Sequence, residues 1–547
     1  MDKRYYRLRD LIASENRFLC GVELVTTRGT LSTAMAQRTR SFSSELLSYP
    51  HVDWVSITDN AGGNPMLSPM ALGKPLLYGG KEVVIHLSCK DMNRNALESE
   101  AWQLASEGFH NILSLSGDYP VTGYHGPGKP VFDIDSVALL TLLQEMNDGL
   151  GVPPAPKTNG EAVHLEQTDF FSGAVTSNFK QHENEVVPQY LKLEKKVACG
   201  AKFIIAQIGF DARKSSEMRV YMDQNGMRDT PLIGNVYLLS APVARFFHTG
   251  HIPGVVVTER LRDLCVRQAR SPDHGKTFFL EFAAKQTAIT RGLGYRGVYF
   301  GGAGSLDDID KILEIERSFG PDDWKTLARE INFSPAGTFH YYAEDPSTGL
   351  ADGSRLEPVY AASLEKREKT ANVTLGYRMN RVVHELAFSP GKGMHGALKR
   401  LYTGNKSSQG PALLQNVERV GKALLFQCKD CGDCSLPDIA YLCPESQCAK
   451  NARNGPCGGT RNGLCEVNNR ECIWARAYDR LKWEGRERDL LGHAPVLQDQ
   501  GLRGTSSWRN TFLGKDHHKL PDIKKKPGEA KENKRAIRPR ETMENSK

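Results

Sequence analysis

The chain has 547 residues and a mass of 60.7 kDa, which leaves room for about two to four ordinary domains. Its mean hydropathy of −0.44, the lack of an apolar run near ~20 residues and an N-terminus without an apolar segment argue against a membrane protein and predict a soluble, cytoplasmic one. The net charge of +7 arises in residues 501–547, which hold 13 Lys or Arg against 6 Asp or Glu, so the nearly neutral remainder argues against a nucleic-acid-binding protein.

Up to about residue 330 the sequence alternates short β-branched runs with longer helical patterns. Eight runs predict buried strands, at 18–26, 52–59, 82–89, 111–118, 169–176, 201–210, 230–239 and 297–304. Apolar spacings of three and four predict helices between them, at 95–107, 136–146, 186–197 and 261–293. Eight continuous apolar strands separated by helices are typical of a covered parallel sheet, and this number of units predicts an α/β fold, the (β/α)8 TIM barrel.

A glycine motif lies before the eighth predicted strand. Gly292, Gly294 and Gly297 spell G-x-G-x-x-G, which in a dinucleotide-binding fold holds a pyrophosphate at a helix N-terminus. That role requires a strand before the motif and a helix after it, whereas here a helix precedes and a strand follows. We therefore interpret the motif as a glycine-rich turn.

Polar residues occupy the C-terminal ends of six predicted strands, where a barrel opens its catalytic mouth. They are Glu23, Thr58, Asp59, His86, Ser88, Asp118, Thr176, Asn178 and Gln207. Taken alone, Glu23 is most simply a paired structural carboxylate and His86 a satisfied core histidine. Six strands whose polar ends face the same way favour an active site, because charged groups are rarely buried without a partner or a function.

Segments at these strand ends resemble the methylenetetrahydrofolate reductase family. The matching pieces occur in the family's order: GVEL at 21–24, VSITDNAGG at 55–63, HLSCKDMNRNAL at 86–97, NILSLSGDYP at 111–120, KPVFDIDSVALL at 129–140 and KKVACGAKFIIAQIGFD at 195–211. The resemblance covers residues 15–310. It implies a flavin-dependent barrel of one-carbon metabolism, an oxidoreductase acting on CH–NH donors. Such an enzyme reduces 5,10-methylenetetrahydrofolate to 5-methyltetrahydrofolate with NADH or NADPH as electron donor.

The resemblance also implies roles for single residues. Glu23 matches the general acid that protonates a folate nitrogen, and its apolar neighbours are expected to raise its pKa. Asp118 matches a catalytic aspartate beside flavin and substrate, and Gln207 matches the glutamine that binds the pterin ring. Asp118 also matches a position that contacts FAD in the family, and so do five other residues: Thr58, His86, Ser116, Gly117 and Lys196.

The chain departs from the family pattern at two places. Many members have Tyr-Pro-Glu-x-His-Pro against the adenine half of FAD, whereas residues 176–180 are TSNFK here, so FMN in place of FAD stays open. After the general acid the family has Phe-Phe-Pro, whereas residues 24–26 are LVT here. This difference changes the expected shape around Glu23 but not the identity of the acid.

Eight of the twelve cysteines fall within residues 428–472, and this density predicts a metal site because disulfides do not persist in the cytosol. They are Cys428, Cys431, Cys434, Cys443, Cys448, Cys457, Cys465 and Cys472. The spacing is C-x2-C-x2-C-x8-C-x4-C-x8-C-x7-C-x6-C, without a histidine. Eight thiolates suit two four-coordinate sites, for zinc or for 4Fe–4S clusters, and the C-x2-C-x2-C run with Cys443-Pro444 favours iron–sulfur.

Two further segments are CPESQCAKNARNGPCGGTRNGLCEV at 443–467 and SSWRNTFLGKDH at 506–517. Through them, residues 376–517 resemble the C-terminal domain attached to some bacterial reductases of this family and the accessory subunit of acetogen-type enzymes. That resemblance implies a metal-dependent domain that delivers electrons to a flavin. We divide the chain into a flavin-binding reductase barrel (1–330), a connecting segment (331–375), a cysteine-rich metal-binding domain (376–500) and a basic, mostly disordered tail (501–547).

Three functional hypotheses follow from these patterns. The first is a flavin-dependent reductase whose partners are folate and either a nicotinamide nucleotide or an electron-transfer protein. In the second, the barrel has lost its catalytic activity and the chain is an accessory electron-transfer subunit. The joint presence of Glu23, Asp118 and Gln207 favours the first hypothesis over the second. The third, a nucleic-acid binder, rests only on the tail and the cysteines. A homo-oligomer and a partner subunit both stay open, and no membrane partner is expected.

Overall fold

The computed structural model, which describes residues 7–14, 17–152, 163–250, 252–404, 412–492 and 495–519, is built around a closed barrel of eight parallel strands. In chain order the strands are β1 (Leu19–Leu24), β2 (Trp54–Ile57), β3 (Glu82–Ser88), β4 (Asn111–Leu115), β5 (Gly151–Val152), β6 (Val163–His164), β7 (Phe171–Thr176), β8 (Phe203–Ala206), β9 (Leu232–Tyr237) and β10 (Gly297–Gly301). Of these, β5 and β6 form a separate hairpin outside the barrel. The barrel order is β1-β10-β9-β8-β7-β4-β3-β2. The eight predicted strands and the TIM-barrel fold are confirmed.

Helices cover the outside of the barrel. They are α1 (Leu8–Ala13), α2 (Gln37–Ser48), α3 (Met70–Tyr78), α4 (Arg94–Ser106), α5 (Ser136–Asp148), α6 (Glu183–Ala198), α7 (Ala212–Gln224), α8 (Ala241–His248), α9 (Glu259–Gln268), α10 (Lys276–Gly292), α11 (Leu306–Ser318) and α12 (Asp323–Ala328). Bulky side chains fill the barrel interior, among them Trp54, Phe203 and Tyr299. Both faces of the strands are therefore buried, as a sheet under helices requires.

Two predictions about helices have different outcomes. The single helix predicted over 261–293 is wrong, because the Asp273 carboxylate accepts hydrogen bonds from the backbone N–H groups of Gly275 (3.1 Å) and Thr277 (2.8 Å), which separates α9 from α10. The glycine motif is the predicted turn. It lies between α10 and β10, where Gly294 has a φ of +77° that other residues rarely adopt.

The predicted connecting segment carries secondary structure of its own: β11 (Tyr342–Glu344), β12 (Ala351–Leu356) and α13 (Pro358–Glu365). It is fixed to the barrel through Glu217 of α7, whose carboxylate accepts the backbone N–H of Tyr341 at 2.6 Å. Lys214, one turn earlier on α7, forms an ion pair with Glu217 at 3.3 Å, and both side chains are buried. The segment therefore extends the coat of the barrel.

The C-terminal domain consists of helices and two short strands. They are α14 (Leu375–Phe388), α15 (His395–Thr403), α16 (Ala412–Phe426), α17 (Pro444–Gln447), β13 (Thr460–Arg461), β14 (Leu464–Cys465), α18 (Ile473–Trp483) and α19 (Ser507–Phe512). Trp474 and Tyr478 of α18 share a buried core with Val187 and Leu191 of α6. The cysteine-rich region is therefore packed onto the barrel by apolar side chains.

The first part of the predicted tail is structured. Ser506 and Ser507 donate hydrogen bonds to the buried carboxylate of Glu418 on α16, at 2.5 and 2.7 Å, and the structured chain continues to residue 519. The remainder of the predicted tail, 520–547, lies outside the described residues. Within the described part of the chain, no helix is long and apolar enough to cross a membrane.

Candidate active site

A cavity of about 600 Å³ opens at the C-terminal ends of the barrel strands. The barrel residues predicted to bind or transform a ligand all line it: Glu23, Thr58, His86, Ser116, Gly117, Asp118, Lys196 and Gln207. They come from four strand ends, the β4–α5 loop and α6. The volume falls within the range of ~300–1,000 Å³ that is typical of cofactor and small-molecule sites.

The other polar residues at strand ends divide into two sets. Asp59 and Ser88 also line the cavity. Thr176 and Asn178 do not, contrary to the prediction. The Asn178 amide is buried behind the cavity wall, where it donates to the Tyr190 hydroxyl at 3.0 Å and to the carbonyl of Lys214 at 2.6 Å. Asn178 therefore stabilises the packing of helices against β7.

Glu23 projects from β1 beside aromatic residues of neighbouring strands. Its Oε1 accepts a hydrogen bond from the Tyr299 hydroxyl of β10 at 3.3 Å. Burial raises the pKa of Glu23 above its usual value, although hydrogen bonds from Tyr299 and from the backbone of Gly302 oppose the shift. Burial and the charge of Glu23 also raise the pKa of the Tyr237 phenol to about 12. This environment favours a protonated carboxyl group.

His86 lies on β3 and is neutral at physiological pH. Burial, with a contribution from the charge of Lys90, lowers its pKa to about 3. Its Nε2 lies 2.8 Å from the Ser56 hydroxyl, inside the barrel. His86 can therefore donate or accept a hydrogen bond in the cavity but supplies no charge.

Asp118 and Gly117 form the part of the wall that follows β4. The Asp118 carboxylate accepts the backbone N–H of Gly62 at 3.0 Å, which fixes its orientation. Gly117 has a φ of +87°, and a Cβ there would lie 3.1 Å from the side chain of Lys90. The tight approach of this loop to Lys90 therefore requires glycine.

Four lysines line the cavity, of which the sequence analysis named only one: Lys90, Lys192, Lys196 and Lys450. Lys192 precedes Lys196 by one helical turn on α6, and this spacing of four was the signal that could have identified it. Burial, with the charge of Lys192, lowers the pKa of Lys196 to about 7. A concentration of ammonium groups in a concave site suits an anionic ligand such as a phosphate.

Three buried polar atoms of the cavity have no hydrogen-bond partner within the described residues. They are Thr58 Oγ1, Ser177 Oγ and Asn235 Oδ1. Because buried polar groups are almost always satisfied, these atoms fit a site that takes a polar ligand. The donor and acceptor groups, the lysines and the size of the cavity together fit a flavin.

The C-terminal domain supplies part of the cavity wall through Lys450, Cys457, Gly458 and Gly459. Lys450 Nζ donates to the carbonyl of Gly117 at 2.8 Å. Asp135, which caps the N-terminus of α5, also accepts the backbone N–H groups of Arg453 at 3.2 Å and Asn454 at 2.9 Å. The domain therefore lies across one side of the barrel mouth, an arrangement that the sequence analysis did not predict.

The eight clustered cysteines separate into two groups along the chain. Charges on Cys434 and Cys443 act on both Cys428 and Cys431. The charge on Cys457 acts on both Cys448 and Cys472, and that on Cys465 acts on Cys448. Group 1 therefore comprises Cys428, Cys431, Cys434 and Cys443, and group 2 comprises Cys448, Cys457, Cys465 and Cys472.

Both groups offer thiols, the ligands of zinc and of iron–sulfur clusters, but among the described residues no three cysteine sulfurs of either group lie within 4.8 Å of one another. Burial, together with the charges of neighbouring thiolates, raises the pKa of Cys431 and of Cys448 to about 11. A bound cation removes this repulsion and deprotonates the thiols. Cys457 of group 2 lines the cavity, and no member of group 1 is among the described residues that do so.

Two family models match the chain. Residues 12–258 match the model described as Methylenetetrahydrofolate reductase, and residues 411–499 match the model described as Methylene-tetrahydrofolate reductase C terminal. Among curated proteins, the chain is 26% identical over 183 residues to methylenetetrahydrofolate reductase 2 of Schizosaccharomyces pombe. That match covers 32% of this chain and 26% of the relative, so the chain spans about a quarter of the relative's length.

Two solved structures are similar to part of this chain at low identity. One is an uncharacterized protein from Clostridium thermocellum that binds two copies of 5-methyl-5,6,7,8-tetrahydrofolic acid, with a TM-score of 0.40 and 10% identity, covering 56% of this chain and 97% of that one. The other is EDTA monooxygenase from Chelativorans sp. BNC1, with a TM-score of 0.35 and 11% identity, covering 57% of this chain and 98% of that one.

Proposed function

We propose that this chain, which belongs to the methylenetetrahydrofolate reductase family, binds a flavin in the barrel mouth and reduces 5,10-methylenetetrahydrofolate to 5-methyltetrahydrofolate. One observation carries the proposal. The cavity brings together Glu23, a carboxyl group whose pKa is raised by burial, with the carboxylate of Asp118 and the amide of Gln207. The residues expected to hold the flavin line the same cavity.

Glu23 supplies the proton that this reaction requires. The bridging methylene group becomes an iminium carbon when one of its two ring nitrogens is protonated and the C–N bond opens, and that carbon then accepts a hydride. A general acid is most effective when its pKa lies near the working pH, and burial moves Glu23 in this direction. After proton transfer, the Tyr299 hydroxyl stabilises the Glu23 carboxylate.

Gln207 and Asp118 orient the substrate. The Gln207 side-chain oxygen accepts the backbone N–H of Ile208 at 2.9 Å, so its NH2 group is left to donate to a ligand. The bond from the Gly62 backbone holds the Asp118 carboxylate as an acceptor. A pterin edge offers neighbouring donors and acceptors that complement an amide and a carboxylate.

A bound flavin, FAD or FMN, would supply the hydride. Thr58, His86, Ser116, Gly117 and Lys196 would hold it, and the lysines of the cavity would neutralise its phosphate. Segment 176–180, expected beside the adenine of FAD, is used by the protein itself, since Asn178 is buried and Lys180 Nζ donates to the Gly458 carbonyl at 2.5 Å. FMN is therefore as compatible with the cavity as FAD.

Group 2 is the proposed point of electron entry from a protein donor, and NADH or NADPH is the alternative donor. Its position supports this role, because Cys457 and Gly458 line the cavity that would hold the flavin. An iron–sulfur cluster on group 2 would supply electrons to that cavity, whereas zinc would make the group structural. The same position supports the second candidate function, an accessory electron-transfer subunit.

One experiment separates these functions. The protein is purified anaerobically, its visible spectrum and its iron and zinc contents are recorded, and turnover of 5,10-methylenetetrahydrofolate is measured with NADH, with NADPH and with a reduced one-electron donor. Bound flavin and folate turnover are the expected results. Metal without flavin, even after addition of FAD and FMN, would refute the reductase and favour the accessory subunit.

A further inference from the structure

A second cluster of metal-ligating side chains lies in the C-terminal domain and contains no cysteine. Asp438, His517 and His518 bring one carboxylate oxygen and two imidazole nitrogens within 4.8 Å of one another. His517 and Asp438 are buried, and the His518 side chain is 21% exposed. The histidines follow α19, and Asp438 lies in the loop between the third and fourth cysteines of group 1.

The two histidines are oriented in the same way. The Nε2 atoms of both rings point at Asp438, at 2.9 Å for His517 and 3.4 Å for His518. Each Nδ1 is bonded to a carboxylate of its own, that of Asp433 for His517 and that of Asp516, at 3.2 Å, for His518. A histidine that ligates a metal through one nitrogen and is held by a carboxylate at the other has this arrangement.

The separations fit a tetrahedral ion. Nitrogen and oxygen ligands on zinc lie at bond lengths of about 2.0–2.1 Å, which places tetrahedral ligand atoms about 3.3 Å apart. The distances of 2.9 and 3.4 Å from the Asp438 oxygens to the two Nε2 atoms bracket this value. Two imidazoles and one carboxylate supply three of the four ligands of such an ion.

The charges are also compatible with a divalent cation. The rings of His517 and His518 are tilted by 33° with centroids 4.0 Å apart, so two imidazolium ions would place like charges close together. The three carboxylates of Asp433, Asp438 and Asp516 are all buried and require compensation. One divalent ion between the Nε2 atoms supplies two positive charges and leaves both rings neutral.

We infer that Asp438, His517 and His518 bind a divalent metal ion, with zinc as the ion that fits them best, at a site separate from the two cysteine groups. The metal fastens the segment that follows α19 onto the loop that carries Cys434 and Cys443. It thereby holds the last described residues against group 1. The inference does not depend on the flavin or on folate reduction.

The test uses the full chain, purified anaerobically after growth with added zinc. Zinc K-edge X-ray absorption separates nitrogen and oxygen ligands at about 2.0–2.1 Å from sulfur at about 2.3 Å. The wild-type protein should show a nitrogen and oxygen shell from one zinc per chain. His518→Gln should lose that one equivalent and that shell, while the metal bound by cysteine is retained. His518 is chosen because it is the more exposed of the two rings.

The control is His395→Gln, a histidine of the same domain on α15 that is not part of the cluster. It should retain every equivalent of metal. Should His518→Gln fail to fold, Asp516→Asn removes only the outer carboxylate and should weaken zinc binding, measured by competition with a chelator, about 10- to 100-fold. Wild-type protein without nitrogen- and oxygen-bound zinc would overturn the inference, as would an unchanged shell in a folded His518→Gln variant.

Discussion

Replacing Glu23 by glutamine tests the proposed chemistry at its central residue. Glutamine has nearly the same shape and still presents an oxygen to the Tyr299 hydroxyl, which lies 3.3 Å from Glu23 Oε1, so the cavity should keep its form. Glutamine has no proton to donate at neutral pH. Flavin content and reduction of the flavin by the electron donor should therefore match those of the wild type.

The loss should fall on folate reduction alone. A positioned general acid contributes about 10²- to 10⁴-fold to rate, equivalent to about 3–5 kcal/mol of activation free energy. We expect Glu23→Gln to lower kcat/KM for 5,10-methylenetetrahydrofolate by this factor. Stopped-flow absorbance separates the two half-reactions, because reduction of the flavin and its reoxidation by folate are observed in turn.

The pH profile gives a second measure with a definite sign. Burial raises the pKa of Glu23, and the acid must be protonated to act, so wild-type kcat/KM should fall as pH rises through that pKa. The hydrogen bond from Tyr299 opposes the shift, so Tyr299→Phe should move this fall to higher pH. Normal folate turnover by Glu23→Gln, or a fall that moves to lower pH in Tyr299→Phe, would refute the role of Glu23.

Three further predictions concern the domain contact, the metal and the flavin. Asp135→Ala should lower the unfolding free energy by about 2–4 kcal/mol, measured by chemical denaturation, because a helix cap and three bonds to the C-terminal domain are lost together. Cys457→Ser should slow reduction of the flavin by a one-electron donor far more than Cys431→Ser, although each removes metal from its own group. The pKa of Lys196 is lowered to about 7, so flavin affinity, measured by fluorescence quenching, should fall as pH rises through 7, and Lys196→Met should abolish this dependence.

Matched variants check each of these predictions. Asn93→Ala removes the cap of α4, which bonds only within its own helix, and should cost about 1 kcal/mol. If Asn93→Ala and Asp135→Ala lowered the unfolding free energy equally, the contact with the C-terminal domain would contribute nothing to stability. Equal slowing by both cysteine variants would indicate a folding role for the metal. Lys202→Met alters an exposed lysine and should leave flavin affinity unchanged; a similar effect there would remove Lys196 from the site.

The barrel could be predicted because each strand is buried on both faces. Such strands appear in the sequence as short continuous apolar runs, and β3, buried at every position, is an example. Once the strand ends are known, parallel topology places their polar residues at one mouth, which is why Glu23, His86 and Gln207 could be grouped without knowledge of their distances. Apolar spacing fails where it continues across a turn, as it does at Asp273 between α9 and α10.

The contacts that the sequence did not predict join distant residues through polar groups. Lys450 lies 333 residues from Gly117, whose backbone carbonyl it contacts, and a carbonyl carries no mark in the sequence. The structure of residues 501–519 was not predicted for a related reason. Residues after 501 are polar in composition, but Ser506 and Ser507 are held by a single buried carboxylate on α16. Composition measures the apolar surface that a segment can bury and does not register such partners.

One physical explanation accounts for two features: the difference of residues 176–180 from the family pattern and the position of the C-terminal domain. Lys180 is buried, and burial lowers its pKa. Its amine donates to the carbonyls of Gly458 and Thr460, in the segment that directly follows Cys457. Buried carbonyls without a donor and a buried amine without acceptors are each costly, so the lysine and the domain stabilise each other. The segment that the family resemblance would assign to a cofactor thus holds the domain that carries group 2 at the cavity.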